Sequence, residues 1–130
     1  ACGVDASHTM ATHAAAHGPV VVADLRRLPF ADKTFDAALA AASLLHLPIG
    51  GSAEAAVAEI ARTLRPGGKL VVSMKAGSGA HTDKAGRFFQ LHDDTTLDAL
   101  LAGWNITYKA TDIDPMRDNL HWRIRVAIKP

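Results

Sequence analysis

Two carboxylates lie at sequence positions where they could bind a nucleoside. Asp5 follows the short apolar run Cys2–Val4, and Asp24 follows the apolar run Val20–Ala23. In a parallel sheet, ligands bind beyond the carboxyl ends of the strands. A carboxylate at the first position can accept hydrogen bonds from a ribose diol, and one at the second from the exocyclic amine of adenine. The pair therefore predicts a nucleoside site, although two aspartates that merely cap loops would give the same pattern.

The elements that must position these aspartates alternate between strand and helix. Hydrophobic patterns predict strands at 2–4, 20–23, 35–45, 69–74, 105–110 and 122–128, and helices at 7–16, 52–64 and 95–102. The run 35–45 is alanine-rich enough for a helix, but its uniform apolarity between two loops favours a strand. Residues 76–93 are polar and contain glycines, which predicts a mobile loop.

This alternation predicts an α/β fold with a doubly wound sheet, as a single domain over residues 1–130. The early strands are apolar on both faces, as buried parallel strands are. No helix-length pattern separates the last two strands, so we expect them to pair as a C-terminal antiparallel hairpin.

Composition indicates a soluble globular domain. Apolar residues make up 48% of the chain, and 14 basic against 13 acidic residues give a net charge of +1. This balance gives no electrostatic reason to expect nucleic acid or an anionic membrane as partner. No apolar run approaches the ~18 residues of a membrane span. Cys2 is the single cysteine, which excludes an internal disulfide, and no signal peptide is visible, so we expect a cytoplasmic protein.

Three strings of residues resemble motifs of class I S-adenosylmethionine-dependent methyltransferases. They are Gly3–Met10 (GVDASHTM), the stretch 23–36 (ADLRRLPFADKTFD) and Glu59–Leu70 (EIARTLRPGGKL). Their order and spacing resemble the family's second strand, its third strand with the following loop, and its helix, turn and fifth strand. The resemblance extends through the closing Trp122–Pro130. It implies a Rossmann-like fold, S-adenosylmethionine as cofactor and a small-molecule methyl acceptor.

The resemblance also implies which residues bind the adenosine half of the cofactor. Asp5 would hold the ribose hydroxyls, and Ala6 and Met10 would lie near the ribose and adenine faces. Asp24 would accept a hydrogen bond from the adenine amine. The backbone amide of Leu25 would reach a ring nitrogen.

At the methyl end, the resemblance implies three residues that follow the fourth strand of the family pattern. Ser43 and Leu44 would border the methionine part and the reacting methyl group. His46 follows directly, and a histidine there could act as a general base. The alternative is that His46 only lines the cleft or supports the structure.

One part of the family pattern has no counterpart in this sequence. A first strand and a glycine-rich loop with an acidic residue should lie before Ala1. We therefore expect a domain that is incomplete at its N-terminus, as a fragment or with another segment filling the gap. That strand would be central, so its absence would leave two unpaired edges one extra strand spacing apart, ~4.8 Å. Such edges promote self-association.

Several other side chains could do chemistry. His13 and His17 are four residues apart and could share a zinc ion on one helix face, but no third ligand is visible, which favours surface histidines. The long loop and its surroundings contain aromatic and basic residues, and such a loop could cover a substrate. The alternative is that its two phenylalanines pack in the core. These residues are His81, Arg87, Phe88, Phe89 and His92.

The functional prediction is methyl transfer from S-adenosylmethionine to an O, N or C nucleophile. A non-catalytic methyltransferase-like binding or scaffold module is the alternative of another class, since fold alone does not establish activity. Half of a nicotinamide-dependent dehydrogenase would also place an aspartate at position 24. The Leu28–Phe30 loop, the Arg65–Gly68 turn and the antiparallel ending argue against that third interpretation.

Overall fold

Strands and helices alternate along the chain in a computed structural model that describes residues 1–117 and 119–130. Short 3₁₀ turns follow α1 and β3. The elements are β1 (Gly3–Asp5), α1 (His8–Ala14), β2 (Val20–Val22), β3 (Phe35–Ala41), α2 (Ser52–Thr63), β4 (Leu64–Lys75), β5 (Ala80–Thr82), β6 (Phe88–Gln90), α3 (Asp94–Leu100), β7 (Asn105–Ile113) and β8 (His121–Ile128).

The strands form a parallel pair, a four-stranded sheet and a small hairpin. The pair is β1–β2, the four-stranded sheet has the order β3-β4-β8-β7, and the hairpin is β5–β6. β3 and β4 run parallel, whereas β4–β8 and β7–β8 are antiparallel, which confirms the predicted C-terminal hairpin. Within the described residues β1 pairs only with β2, and β3 only with β4.

The hydrophobic core lies between one face of the four-stranded sheet and helices α2 and α3. Leu70, Val72 and Met74 alternate along β4 and are fully buried. They share one cluster with the apolar stripe of α2, which includes Val57 and Ile60. Each such side chain contributes roughly 1.5–3 kcal/mol through burial. The opposite face is open, and Leu39 on β3 is 72% exposed there.

Helix α2 is followed directly by β4, and the Arg-Pro-Gly-Gly segment lies near the start of that strand. Phe35 pairs with Leu64 and Ala37 with Lys69, so residues 65–68 bulge out of an otherwise parallel ladder. A Cβ on Gly68 would lie 2.8 Å from the carbonyl oxygen of Arg65, a distance that requires glycine. The predicted strand start at residue 69 is therefore too late, because the ladder begins before the bulge.

Two further sequence predictions are wrong. The strand predicted for 35–45 ends at Ala41, because Leu44 and Leu45 turn into the core as part of a 3₁₀ turn. The loop predicted for 76–93 contains the β5–β6 hairpin. The strands of this hairpin have three residues each, and β5 is exposed throughout, so no apolar alternation marked it. No helix among the described residues is long and apolar enough to cross a membrane.

Candidate functional site

Asp5 sits where β1 turns into α1. Its Oδ1 accepts a hydrogen bond of 2.8 Å from the amide of Ser7. The Ser7 hydroxyl in turn caps α1 by accepting from the amide of Met10 at 3.3 Å. Only one donor therefore occupies the half-buried carboxylate of Asp5 among the described residues, and its remaining lone pairs can accept the two hydroxyls of a diol.

Asp24 follows β2 and is held by Arg26. The carboxylate of Asp24 accepts from the Arg26 amide at 2.8 Å, from Nε at 3.0 Å and from Nη2 at 2.6 Å. These hydrogen bonds with Arg26 lower the pKa of Asp24 from 3.8 to about 2. Nε also lies 3.1 Å from Oδ2, so Arg26 makes two contacts with each oxygen of the carboxylate. An adenine amine at Asp24 would therefore share these oxygens with Arg26.

The two aspartates lie at the same edge of the parallel pair. Asp5 is in register with Val22, and the amide of Ala23 donates to the carbonyl oxygen of Asp5 at 3.0 Å. Adjacent strands are about 4.8 Å apart, so the two aspartates follow neighbouring strand ends.

Three of the other expected cofactor residues lie close in sequence to these strand ends. Ala6 is exposed, and Met10 on α1 is 56% exposed. Leu25 packs its side chain against the core, and its amide donates to no acceptor among the described residues. The exposed Ala6 and Met10 and the free amide of Leu25 leave all three available to a bound nucleoside.

The end of β3 is fixed by a serine of the neighbouring strand. The amide of Ala42, which has a φ of +49°, donates to the carbonyl oxygen of Ser73 at 3.1 Å and to its hydroxyl at 3.2 Å. Ser43 follows and is half-buried. The side chain of Leu44 is fully buried in the core, so only its backbone could border a ligand.

His46 is exposed and faces the β5–β6 hairpin. Its Nδ1 lies 2.9 Å from the carbonyl oxygen of Phe88, and its ring meets that of Phe89 edge-on at 4.8 Å. A carbonyl oxygen only accepts, so Nδ1 carries a hydrogen. In a neutral imidazole this hydrogen bond leaves the lone pair on Nε2.

A group of basic residues surrounds the buried ring of Phe89, and we name this group the Phe89 cluster. Lys75, the last residue of β4, places Nζ 4.2 Å from the ring centroid, and the Arg87 guanidinium lies 5.4 Å away. The His81 ring stacks on Phe89 at 5.4 Å. The cluster consists of these four residues and His46.

His92 is buried next to this hairpin. Its side chain is fully inaccessible, and neither ring nitrogen has a hydrogen-bond partner among the described residues. Burial lowers the pKa of His92, against the opposing charges of Asp93 and Glu54. The backbone of His92 ties the hairpin to β4, since its amide donates to the carbonyl oxygen of Lys75 at 3.2 Å.

An open groove of about 350 Å³ runs along the carboxyl ends of β3 and β4. Ala42 and Ser73 form one wall, and the β7–β8 hairpin supplies Trp122 and Asp112. Trp122 is in register with Lys75, so the groove leads toward the Phe89 cluster. Lys75 does not line the groove, but it is the cross-strand neighbour of Trp122, which does.

Sequence reasoning missed three of these contributors. Arg26 stands two residues after Asp24, and that spacing of opposite charges was a visible signal. Ser73 and Lys75 carried no signal, because only the β3–β4 ladder brings them to the site. His13 and His17 remain exposed, and the described residues contain no group of three or more His, Cys, Asp or Glu side chains placed to hold a metal ion.

Residues 1–72 match the model of a family described as "Methyltransferase domain". A demethylmenaquinone methyltransferase of Mycolicibacterium paratuberculosis is 44% identical over 63 residues, which is 48% of this chain and 26% of that protein. A sterol 4-C-methyltransferase of Caenorhabditis elegans is 43% identical over 53 residues, 41% of this chain and 15% of that protein. The matched segments are thus about a quarter or less of these relatives' own length.

Solved structures share the fold over nearly the whole chain. A 1,6-didemethyltoxoflavin-N1-methyltransferase of Burkholderia thailandensis, with 1,6-didemethyltoxoflavin and S-adenosylhomocysteine bound, superposes with a TM-score of 0.82 at 22% identity and covers 98% of this chain and 60% of its own. A SAM-dependent methyltransferase of Methanosarcina mazei gives 0.85 at 18% identity, covering 98% and 81%. At these identities the likeness establishes the fold alone.

Proposed function

Because the chain belongs to the methyltransferase domain family of class I S-adenosylmethionine-dependent enzymes, we propose that it serves methyl transfer to an O, N or C nucleophile of a small-molecule acceptor. The observation that carries this proposal is the position of Asp5 and Asp24 at the carboxyl ends of two hydrogen-bonded parallel strands. The Asp5 carboxylate has lone pairs for a diol, and an adenine amine would share the Asp24 carboxylate with Arg26. Those are the polar groups of adenosine.

In this proposal the residues of the chain bind the cofactor and orient it toward the acceptor. Asp5 holds the ribose hydroxyls, Asp24 and the Leu25 amide read the adenine edge, and Ala6 and Met10 cover its faces. Ser43 borders the methionine end, next to the groove lined by Ala42 and Ser73. Holding donor and acceptor in line can supply a large share of the rate enhancement.

When bound, the cofactor supplies an electrophilic methyl on a sulfonium sulfur, which keeps the electrons of the broken bond and becomes the thioether of S-adenosylhomocysteine. An O or N acceptor must also lose a proton. His46 is placed to take it on Nε2, because Nδ1 is committed to the carbonyl oxygen of Phe88. A carbon acceptor that is already nucleophilic would use His46 only to shape the groove.

Calorimetric titration of the full-length gene product with S-adenosylhomocysteine tests the proposal. Wild-type protein should release or absorb heat on binding. Asp5→Asn and Asp24→Asn should each weaken binding about 10- to 100-fold, since a hydrogen bond to a charged group contributes roughly 1.5–3 kcal/mol. Asp36→Asn is the matched control, because Asp36 is exposed at the opposite end of β3 and pairs with Arg65.

Absence of heat with both S-adenosylmethionine and S-adenosylhomocysteine would refute the enzyme proposal in favour of a non-catalytic module. Equal affinities for Asp5→Asn, Asp24→Asn and Asp36→Asn would refute the assignment of the two aspartates while leaving cofactor binding in place.

A further inference from the structure

The Phe89 cluster concentrates positive charge around a single ring. Lys75 and Arg87 are cations, and the imidazole rings of His46 and His81 lie beside them on the same phenylalanine. Phe89 itself is only 5% exposed, so the basic side chains pack around a buried apolar centre. Such a group of nitrogen donors on a rigid aromatic base is suited to hold an anion.

Carboxylates within the described residues neutralise only part of this charge. Asp83 binds Arg87 through Nε at 2.8 Å and also accepts from the amides of Arg87 and Ala85. Its carboxylate is thus already engaged. Lys75 has no salt-bridge partner among the described residues, and its half-buried ammonium rests on the Phe89 ring instead. A half-buried cation favours a compensating anion.

The position of Lys75 joins this charge to the acceptor groove. Lys75 ends β4 two residues after Ser73, which lines the groove, and alternation along a strand puts both side chains on one face. Trp122, opposite Lys75 in the β4–β8 ladder, also lines the groove. His46 completes the arrangement at the end of β3. An anion bound by Lys75 would therefore belong to the molecule in the groove.

The charged residues that line the groove itself are Asp112 and Asp114. Asp112 pairs with Trp122 and therefore stands two strands from Lys75, about 9–10 Å across the sheet. The carboxylate of Asp114 accepts from the amide of Met116 at 2.8 Å and from the Trp122 indole at 3.5 Å. Among the described residues, no ion pair joins Lys75 to Asp112 or Asp114.

We propose that the Phe89 cluster binds the anionic group of the methyl acceptor, a carboxylate or a phosphate, with Lys75 as its main contact and His81 beside it. The acceptor is then an acidic small molecule whose nucleophile lies in the groove near His46. This inference rests on the proposed methyl transfer, since it names the class of acceptor for that reaction.

Amide NMR spectra of the full-length gene product test the inference, with sodium phosphate and sodium acetate as separate probes at constant ionic strength. Either anion should shift the amides of His81, Phe88 and Phe89. Lys75→Met removes the charge and keeps the apolar stem, and it should weaken the apparent affinity at least about tenfold. Lys33→Met is the matched control in the loop before β3, and its affinity should stay within about twofold of the wild type.

A stronger response to phosphate identifies a phosphorylated acceptor, and a stronger response to acetate identifies a carboxylic acid. Equal responses of Lys75→Met and Lys33→Met, or no shift at the named amides, would overturn the inference. S-adenosylhomocysteine is titrated into the same samples. Failure of the wild type to bind it counts against the proposed function, whereas intact binding with no anion response counts against the acceptor class alone.

Discussion

His46 and Phe88, 42 residues apart in sequence, are joined by a hydrogen bond of 2.9 Å from the imidazole Nδ1 to the backbone carbonyl oxygen. The bond connects the turn after β3 to the β5–β6 hairpin. It fixes the orientation of the imidazole and the position of the hairpin together, so the geometry at the end of β3 depends on both.

Replacing His46 by Ala should slow methyl transfer while leaving S-adenosylhomocysteine binding within about twofold. If His46 acts as general base, kcat should fall about 10²- to 10⁴-fold. The measurement is the steady-state release of S-adenosylhomocysteine with the identified acceptor. His13→Ala is the control, because His13 lies exposed on α1. An unchanged kcat would assign His46 to the shape of the groove only.

Replacing Arg26 by Ala should raise the pKa of Asp24 from about 2 toward its ordinary 3.8, because the guanidinium hydrogen bonds are the largest cause of the depression. A lowered folded-state pKa adds stability above about pH 4, which is lost as the pH falls toward 2. The pair is half exposed, so we expect that stability change to be small. Carbon-13 NMR of the Asp24 carboxyl gives the pKa directly. A pKa still near 2 in Arg26→Ala would contradict the assignment.

The buried imidazole of His92 should make the protein less stable in mild acid. Its pKa is lowered by burial, so the unfolded chain takes up a proton first, near pH 6.5. The contribution is fully present above pH 6.5 and is lost as the pH falls below it, by about 1.4 kcal/mol for each unit of pKa depression. His92→Leu should flatten urea unfolding free energies between pH 7.5 and 5. The exposed His121→Leu should not, and equal pH dependence in both variants would refute this explanation.

Leu39 should contribute to self-association of the 130-residue chain, because it is 72% exposed on the open face of β3, whose outer edge has no partner strand in the described residues. Leu39→Lys should shift the chain toward monomer in sedimentation experiments and change its stability by less than about 0.5 kcal/mol. Met116→Lys is the control, since Met116 is 88% exposed in a turn away from that edge. Identical association of both variants would exclude this face as the contact.

The strand ends at Asp5 and Asp24 could be predicted from sequence because their information is local. A buried strand ending in aspartate is visible twice, and the Ser7 cap and the helix Ser52–Thr63 follow from short-range patterns. The acceptor side could not be predicted in this way. Lys75 and Phe89 meet only because the hairpin folds back on β4, and neither residue carries a periodic signal. The burial of Leu44 in a turn could not be predicted, because a continuous apolar run does not show at which residue a strand ends.

The hairpin leaves and rejoins the sheet at one place. Ala76 forms a bridge with His92, and the amide of Gly77 donates to the carbonyl oxygen of His92 at 3.1 Å. Residues 77–91 therefore form a loop whose two ends meet. Doubling the length of such a loop costs only about 0.6 kcal/mol of closure free energy, so its length has little effect on the surrounding strands. Evolution could therefore exchange this segment without altering the strand ends at Asp5 and Asp24. If the Phe89 cluster selects the acceptor as proposed, acceptor choice could change by replacement of this one segment.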